Sequence, residues 1–566
     1  MNKRLISLML AVLTLFSVLL TSCSSTSNED AMNDVTDEAS RYTTTLNMYV
    51  VTEKETTPEA AAKVNDAINK ITKAKFKTQV NIYFNTLDNH YALLDEKFAK
   101  IEADIAAEEE AKKALKKAQR EAKARGETLA TTAPETTSDE TTAEETILNE
   151  YGLSELKYPA ESSRQVDIIF VNGYDRYLQY CDDGILERLD DELSSGSKKL
   201  KNYINPVFMD AAVVNGATYA IPNNHTIGEY TYLLVNKEMA AKYSYDLSEF
   251  VDLASVAEFV EDVAKHEPTI TPVCGDIELT NIRYLSLDKE TLEFIPDRSI
   301  VAAYVSPTAG YSSRLTFRNI FATRQITDQL KTIKLFEEKD LIKKNADPSK
   351  PFAVSIMKGG YELNDVYGED YHMIVLENPM AYEDSLYAGM FGVTQYTKDL
   401  TRSMEIITYI NTNPELRNLL QYGIENENYV INEDGTLTRL NKTYMMDLLK
   451  TGNAFVAYPE EGMPVNAWDY GKKQNIDARL DPMNGFEFDA EALNWDYMDI
   501  MNNTSKTYLA ELADCKTYDD VVAFIDRAYE ELTANTEFAN STKILVEGTP
   551  NFLYNEWHTM NWPPEG

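Results

Sequence analysis

Residues 46–84 lay down a strand, a helix and a second strand. Leu46-Asn47-Met48-Tyr49-Val50-Val51 is rich in strand-forming residues. Thr57 and Pro58 follow as N-cap and first helical residue. Val64, Ala67, Ile68 and Ile71 then recur at helical spacing. Phe76, Thr78, Val80, Ile82 and Phe84 alternate with polar partners except at Tyr83, which predicts the second strand. Such a unit joins parallel strands, and a parallel sheet needs cover on both faces. Val166-Asp167-Ile168-Ile169-Phe170-Val171 is the nearly continuous apolar run of such a covered strand. The fold class is therefore α/β. Open sheets of this kind bind ligands beyond the carboxyl ends of their strands. The segments Thr52-Glu53 and Asn172-Gly173-Tyr174-Asp175 are thus candidate rims of one cleft.

A chain of 566 residues is long enough for two lobes with separate cores. Asn215-Gly216 reads as a hairpin turn before Tyr219-Ala220-Ile221-Pro222-Asn223-Asn224. A second α/β set follows between Tyr232 and Met380. Its strands are residues 232–235, 352–357 and 372–376, and its helix faces are Val256, Phe259, Val260, Val263 and Ile326, Leu330, Ile333, Phe336. Ala388-Gly389-Met390-Phe391-Gly392 reads as a return crossing, and residues 404–410 as a helix. Leu416, Leu419 and Leu420 form a helix face closed by Gly423, and Asp434-Gly435 turns a hairpin between residues 429–431 and Leu437. Tyr458 and Trp468 fall in a loop-like segment, and residues 485–562 read as largely helical.

Lys3 and Arg4 precede an apolar run over residues 5–20, which ends in Leu20-Thr21-Ser22-Cys23. This reads as a secretory signal; the alternative is an uncleaved transmembrane anchor, for which the run is short against a span of about 20 residues. Residues 24–40 read as a polar tether. Residues 106–125 extend a helix with almost no large apolar side chain, held by Glu108–Lys112 and Glu109–Lys113 pairs, and residues 127–146 have a disordered composition.

The net charge of −38, from 54 basic and 92 acidic residues, argues against a nucleic-acid partner, because phosphates need a basic surface. Cys23, Cys181, Cys274 and Cys515 show no metal-ligand spacing and do not imply a disulfide framework. The five histidines lack HExxH spacing, and neither a GxSxG elbow nor a phosphate loop is present. Adjacent acids such as Asp182-Asp183, Asp190-Asp191 and Glu460-Glu461 could serve a glycosidase only at a fixed separation in a cleft, which sequence does not show. A binding protein without catalytic residues, metal or cofactor is the expectation. The 35 tyrosines suit sugar recognition and ordinary half-buried surface alike.

The order of a helix, Tyr422-Gly423-Ile424-Glu425, the Asp-Gly hairpin, Gly452-Asn453-x-Phe455-x-x-Tyr458-Pro459 and a later Trp468 resembles the C-terminal part of extracellular solute-binding proteins (family 1) of carbohydrate-type ABC importers. The resemblance runs from about Tyr42 to Trp562 apart from one insertion, and Cys23 after its small residues resembles a bacterial lipobox. It implies a two-lobed fold of periplasmic-binding-protein type II with a hinge between lobes. Its parts would be a signal peptide (1–22), tether (23–41), first lobe (42–225, with the 106–146 insertion), second lobe (226–385), a return to the first (386–455), and a C-terminal helical part on the second (456–566). It also implies a monomer, lipid-anchored through Cys23 on the extracellular face of a bacterial membrane, handing a carbohydrate to ABC permease subunits. The cleft residues would be Thr52, Glu53, Asn172, Tyr174, Asp175, Asn223, Asn224, His225, Gly389, Met390, Tyr458 and Trp468. Trp468 and Tyr174 would stack on sugar faces, and Asp175, Glu53, Asn223 and Asn224 would bond hydroxyls. A surface glycan hydrolase and a non-sugar ligand such as a peptide remain open alternatives.

Overall fold

The structure, a computed structural model, describes residues 44–125, 162–285, 299–305, 317–481 and 495–548. The signal-like run, Cys23, the tether, residues 127–146 and residues 485–489 lie outside them.

β1 (Thr44–Val51) is followed by α1 (Pro58–Phe76) and then by β2 (Thr78–Asn85), parallel to β1 with Met48 opposite Ile82. Thr57 caps α1 by accepting from the Ala60 amide. Phe76 ends this helix and does not open the strand. Lys77 turns the chain at φ 54°, and the Phe76 ring packs edge-on against Tyr409, which fixes it to the core. Asn69 of α1 bonds both the N–H and the C=O of Val80, so the helix covers the free edge of β2.

α2 (Leu87–Ala124) is one continuous helix whose distal half is exposed, with Glu108–Lys112 and Glu109–Lys113 paired as the spacing predicts. β3 (Ile168–Val171) lies parallel to β1 and runs into α3 (Tyr174–Asp182). The Asn215-Gly216 turn forms, both residues having positive φ. β4 (Ala220–Pro222) then closes this part of the chain.

The chain leaves to build a second sheet from β5 (Tyr230–Asn236), α4 (Ala257–His266), β6 (Thr271–Cys274), α5 (Arg324–Glu338), β7 (Ile342–Lys343), β8 (Phe352–Gly359) and β9 (Tyr371–Glu377). The order across it is β7-β6-β8-β5-β9. Leu233, Val235, Val273 and Ala353 pack under α4 and Phe336 on one face, while Tyr230, Tyr232, Phe352 and Tyr371 build the other.

β10 (Met390–Val393) returns to the first sheet, inserting antiparallel between β3 and β4 to give the order β2-β1-β3-β10-β4. This is the two-lobed α/β architecture expected. α6 (Leu400–Thr412) and α7 (Pro414–Tyr422) cover the first sheet, Asn413 capping α7 through the amides of Glu415 and Leu416. The Asp-Gly hairpin pairs residues 429–431 with 437–439.

α8 (Ala467–Asp477) lies along the segment joining β4 to β5. A third passage between the lobes follows it, residues 479–480 pairing with 380–381. α9 (Trp495–Asp514) and α10 (Tyr518–Ala534) then pack on a small sheet of residues 282–284, 301–304 and 318–319 and on Ile326 of α5. Among the described residues no helix is long and apolar enough to cross a membrane.

Candidate functional site

Because β10 runs antiparallel to its neighbours, its amino end meets the carboxyl ends of β1, β3 and β4 on one edge of the first sheet. Thr52, Asn172, Gly389 and Asn223 stand there in a row. A single stretch, residues 445–454, runs along this row. The Met445 carbonyl accepts from Thr52 Oγ1 (2.9 Å) and from the Glu53 amide (3.0 Å). The Leu449 carbonyl accepts from Asn223 Nδ2 (2.9 Å), and the Asn224 carbonyl from the Ala454 amide (2.7 Å). Gly389 permits this close passage. A Cβ on it would sit 2.7 Å from both the Leu449 carbonyl oxygen and Phe170 Cε2. Asn223 Oδ1 is buried without a partner among the described residues.

Arg417 holds the stretch from below. It is fully buried and donates to the carbonyls of Leu448 (2.9 Å) and Asn453 (3.2 Å) and to Gln421 Oε1 (2.8 Å). Burial pushes its pKa down to about 10, so it stays charged at neutral pH. Above it, Lys450 Nζ lies 3.5 Å from Glu53 and 3.4 Å from Asp447, a partly exposed cluster able to donate to and accept from hydroxyl groups.

At the β4 end the edge opens into a cavity of about 390 Å³. Its walls come from residues 201–206, Asn224, Asn453, Phe455, Val456, Lys472 and Asn475. The amides here serve the protein itself. Asn224 and Asn453 both donate to the Tyr203 carbonyl. Asn475 donates to the His225 carbonyl and accepts from the Ile227 amide, gripping the passage to the second lobe as a neighbouring strand would.

The structure brings Thr52, Glu53, Asn172, Asn223, Asn224, Gly389 and Met390 to one edge, but several differ from the stated roles. Met390 and Thr52 are buried, Thr52 being spent on Thr56 and Met445. Asn172 is held by the Tyr91 hydroxyl at 2.7 Å. Tyr174 is only 8 % exposed, its ring packed on Tyr387 at 5.1 Å, and is thus a packing residue in this structure. Asp175 points from the first turn of α3 into solvent. His225 is buried between Phe208 and Ser385, joining the two passages, and desolvation lowers its pKa. Trp468 belongs to the first turn of α8 and not to a loop; its indole N–H donates to the Ala457 carbonyl and its ring lies 6.0 Å from Phe455. Tyr458 is partly exposed.

Sequence reasoning missed Arg417, Lys450, Asn453, Phe455 and Asn475. The Gly452-Asn453-x-Phe455 pattern was the one available signal. The acid pairs are solvated or tied to neighbours, as in Asp190 with Arg188 and Glu460 with Arg439. Cys181, Cys274 and Cys515 are free, and among the described residues no group of three or more His, Cys, Asp or Glu could hold a metal.

No family model matches the chain. A curated protein of Streptococcus pneumoniae serotype 4, a "Carbohydrate ABC transporter substrate-binding protein", is 22 % identical over 378 residues, covering 62 % of this chain and 73 % of the relative. Among solved structures, an N-glycan transport solute-binding protein from Streptococcus pneumoniae aligns with 91 % of this chain and 99 % of its own at 17 % identity and a TM-score of 0.45. A family 1 extracellular solute-binding protein from Alicyclobacillus acidocaldarius aligns with 87 % and 99 % at 12 % identity and 0.37.

Proposed function

We infer that this chain is an extracellular solute-binding protein of an ABC importer, and we propose that it captures an oligosaccharide between its lobes and delivers it to a membrane permease. The observation that carries this reading is the sequence match to the pneumococcal substrate-binding protein, the same family whose pattern the Pro414-to-Tyr470 stretch resembles. The interlobe edge supports it. Sugar sites combine aromatic planes with a few placed polar groups. Phe455, Trp468 and Tyr458 supply planes, and Glu53, Asp447 and Lys450 supply donors and acceptors beside the strand ends. The lipobox-like Cys23 would anchor the mature protein, two acyl chains giving the hold that one does not.

Titration calorimetry of the purified mature chain against mono- and oligosaccharides tests the reading. Saturable binding with the ligand recovered intact is expected. No binding across the panel, or cleavage products, would overturn it. For the anchor, Cys23→Ala should release the protein from the membrane fraction or leave it unprocessed; unchanged membrane fractionation with an unmodified residue 23 in the parent would refute it.

A further inference from the structure

The cavity beside β4 differs chemically from the rest of the edge. Acidic side chains outnumber basic ones 92 to 54 in this chain, yet no carboxylate lines the cavity. Its two charged residues are Lys201 and Lys472. Lys472 has one exposed contact with Asp469 at 3.4 Å, and Lys201 has no ion-pair partner among the described residues. The Tyr203 ring is 43 % exposed at the rim, and its hydroxyl has no partner among the described residues.

The walls are already fixed. Asn205, Asn224, Asn453 and Asn475 spend their amides on backbone groups, so they hold shape and present few free hydrogen-bonding atoms. The free polar groups are therefore ammonium donors, a phenol and the exposed Asn202 amide, set beside the flat faces of Tyr203 and Phe455. Fixed walls lower the ordering cost of binding. Two ammonium groups in a concave site without a carboxylate in its wall, one of them without an ion-pair partner among the described residues, favour an anion.

We propose that this cavity is a subsite for a negatively charged sugar unit, carrying a carboxylate or a sulfate ester, within the captured glycan. The subsite rests on the carbohydrate-capture reading. The anion lies between Lys201 and Lys472, and the sugar ring lies against Tyr203 and Phe455.

Matched pairs of neutral and acidic oligosaccharides test it by calorimetry on the mature chain: lactose against sialyllactose and sulfated lactose, and a galactose disaccharide against its uronic acid counterpart. The acidic member of at least one pair should bind about tenfold more tightly, and raising the salt should shrink that preference. The carboxylate and sulfate arms show which anion is preferred. The double variant Lys201→Met/Lys472→Met should lose the preference while keeping the wild-type melting temperature. Neutral sugars bound as tightly as their acidic partners, or a preference unchanged in the double variant, would overturn the subsite and leave the capture reading standing. Failure of every sugar, neutral and acidic, would overturn both.

Discussion

Replacing Arg417 by methionine sets two opposed terms against each other. The side chain is fully buried, and burial brings its pKa down to about 10. Holding the charge there costs about 3 kcal/mol, a cost methionine relieves. Against this, the guanidinium makes three well-formed bonds, to the Leu448 and Asn453 carbonyls and to Gln421 Oε1. At roughly 1.5–3 kcal/mol for each bond to an ionised donor, their loss amounts to about 5–9 kcal/mol. Thr451 Oγ1 also reaches Gln421, which offsets part of it. The expected net destabilisation of Arg417→Met is about 2–5 kcal/mol. Urea denaturation followed by tryptophan fluorescence measures it as a lower midpoint with an unchanged slope. Because the carbonyls freed belong to the stretch along the strand ends, ligand affinity should fall as well. Arg417→Lys, which keeps the charge but not the fork, should lie between the two. A methionine variant within about 0.5 kcal/mol of the parent would refute the view that this guanidinium organises residues 445–454.

Gly389→Ala should destabilise by about 1–3 kcal/mol and weaken ligand binding, because its Cβ meets the Leu449 carbonyl and the Phe170 ring; an unchanged melting temperature would show that the edge can give way. His90 is buried with its Nε2 bonded to the Phe170 carbonyl, and desolvation lowers its pKa to about 4. The unfolded chain therefore binds more protons below about pH 6.5, and stability falls as pH drops from there towards 4. His90→Gln should flatten that part of the pH–stability curve by about 3 kcal/mol, and an identical curve would contradict the assignment. Trp468→Ala should lower glycan affinity at least about tenfold, since the indole props Phe455 at the cavity wall; unchanged affinity would place the tryptophan outside the site. Replacing residues 106–146 by a short Gly/Ser linker should leave affinity within about twofold, because the surface pair Arg164–Glu108 contributes little.

The two sheets were legible because burial wrote itself into residue type. Val166, Ile168, Ile169, Phe170 and Val171 are all almost fully buried, and no other reading of that run satisfies its neighbours. The strand-end loops followed from that, and with them the region of the candidate site. α8 was not legible. Its sequence, Ala-Trp-Asp-Tyr-Gly-Lys-Lys-Gln-Asn-Ile-Asp, has no apolar stripe, since it docks through the amides of Gln474 and Asn475 and through Gly471, whose missing Cβ lets it approach Thr226 and Phe455. Hydrophobic periodicity cannot report a helix fixed by polar bonds to backbone. Tyr174 misled for the converse reason: an amphipathic ring at a strand end suits a ligand or a neighbouring ring equally, and Tyr387 took the place.

The three passages between the lobes lie abreast. Residues 380–381 and 479–480 are bonded as a two-stranded ribbon, and Gly228, at φ +49°, brings the first passage so close that a Cβ there would be 2.8 Å from the Met380 carbonyl oxygen. A strap of parallel bands joined edge to edge flexes readily out of its own plane and resists sliding of one band past the next. Lobes joined in this way would swing like a door on a leaf spring, with twist and shear suppressed. A ligand held between the lobes would then meet them along one repeatable arc, whose direction the strap sets.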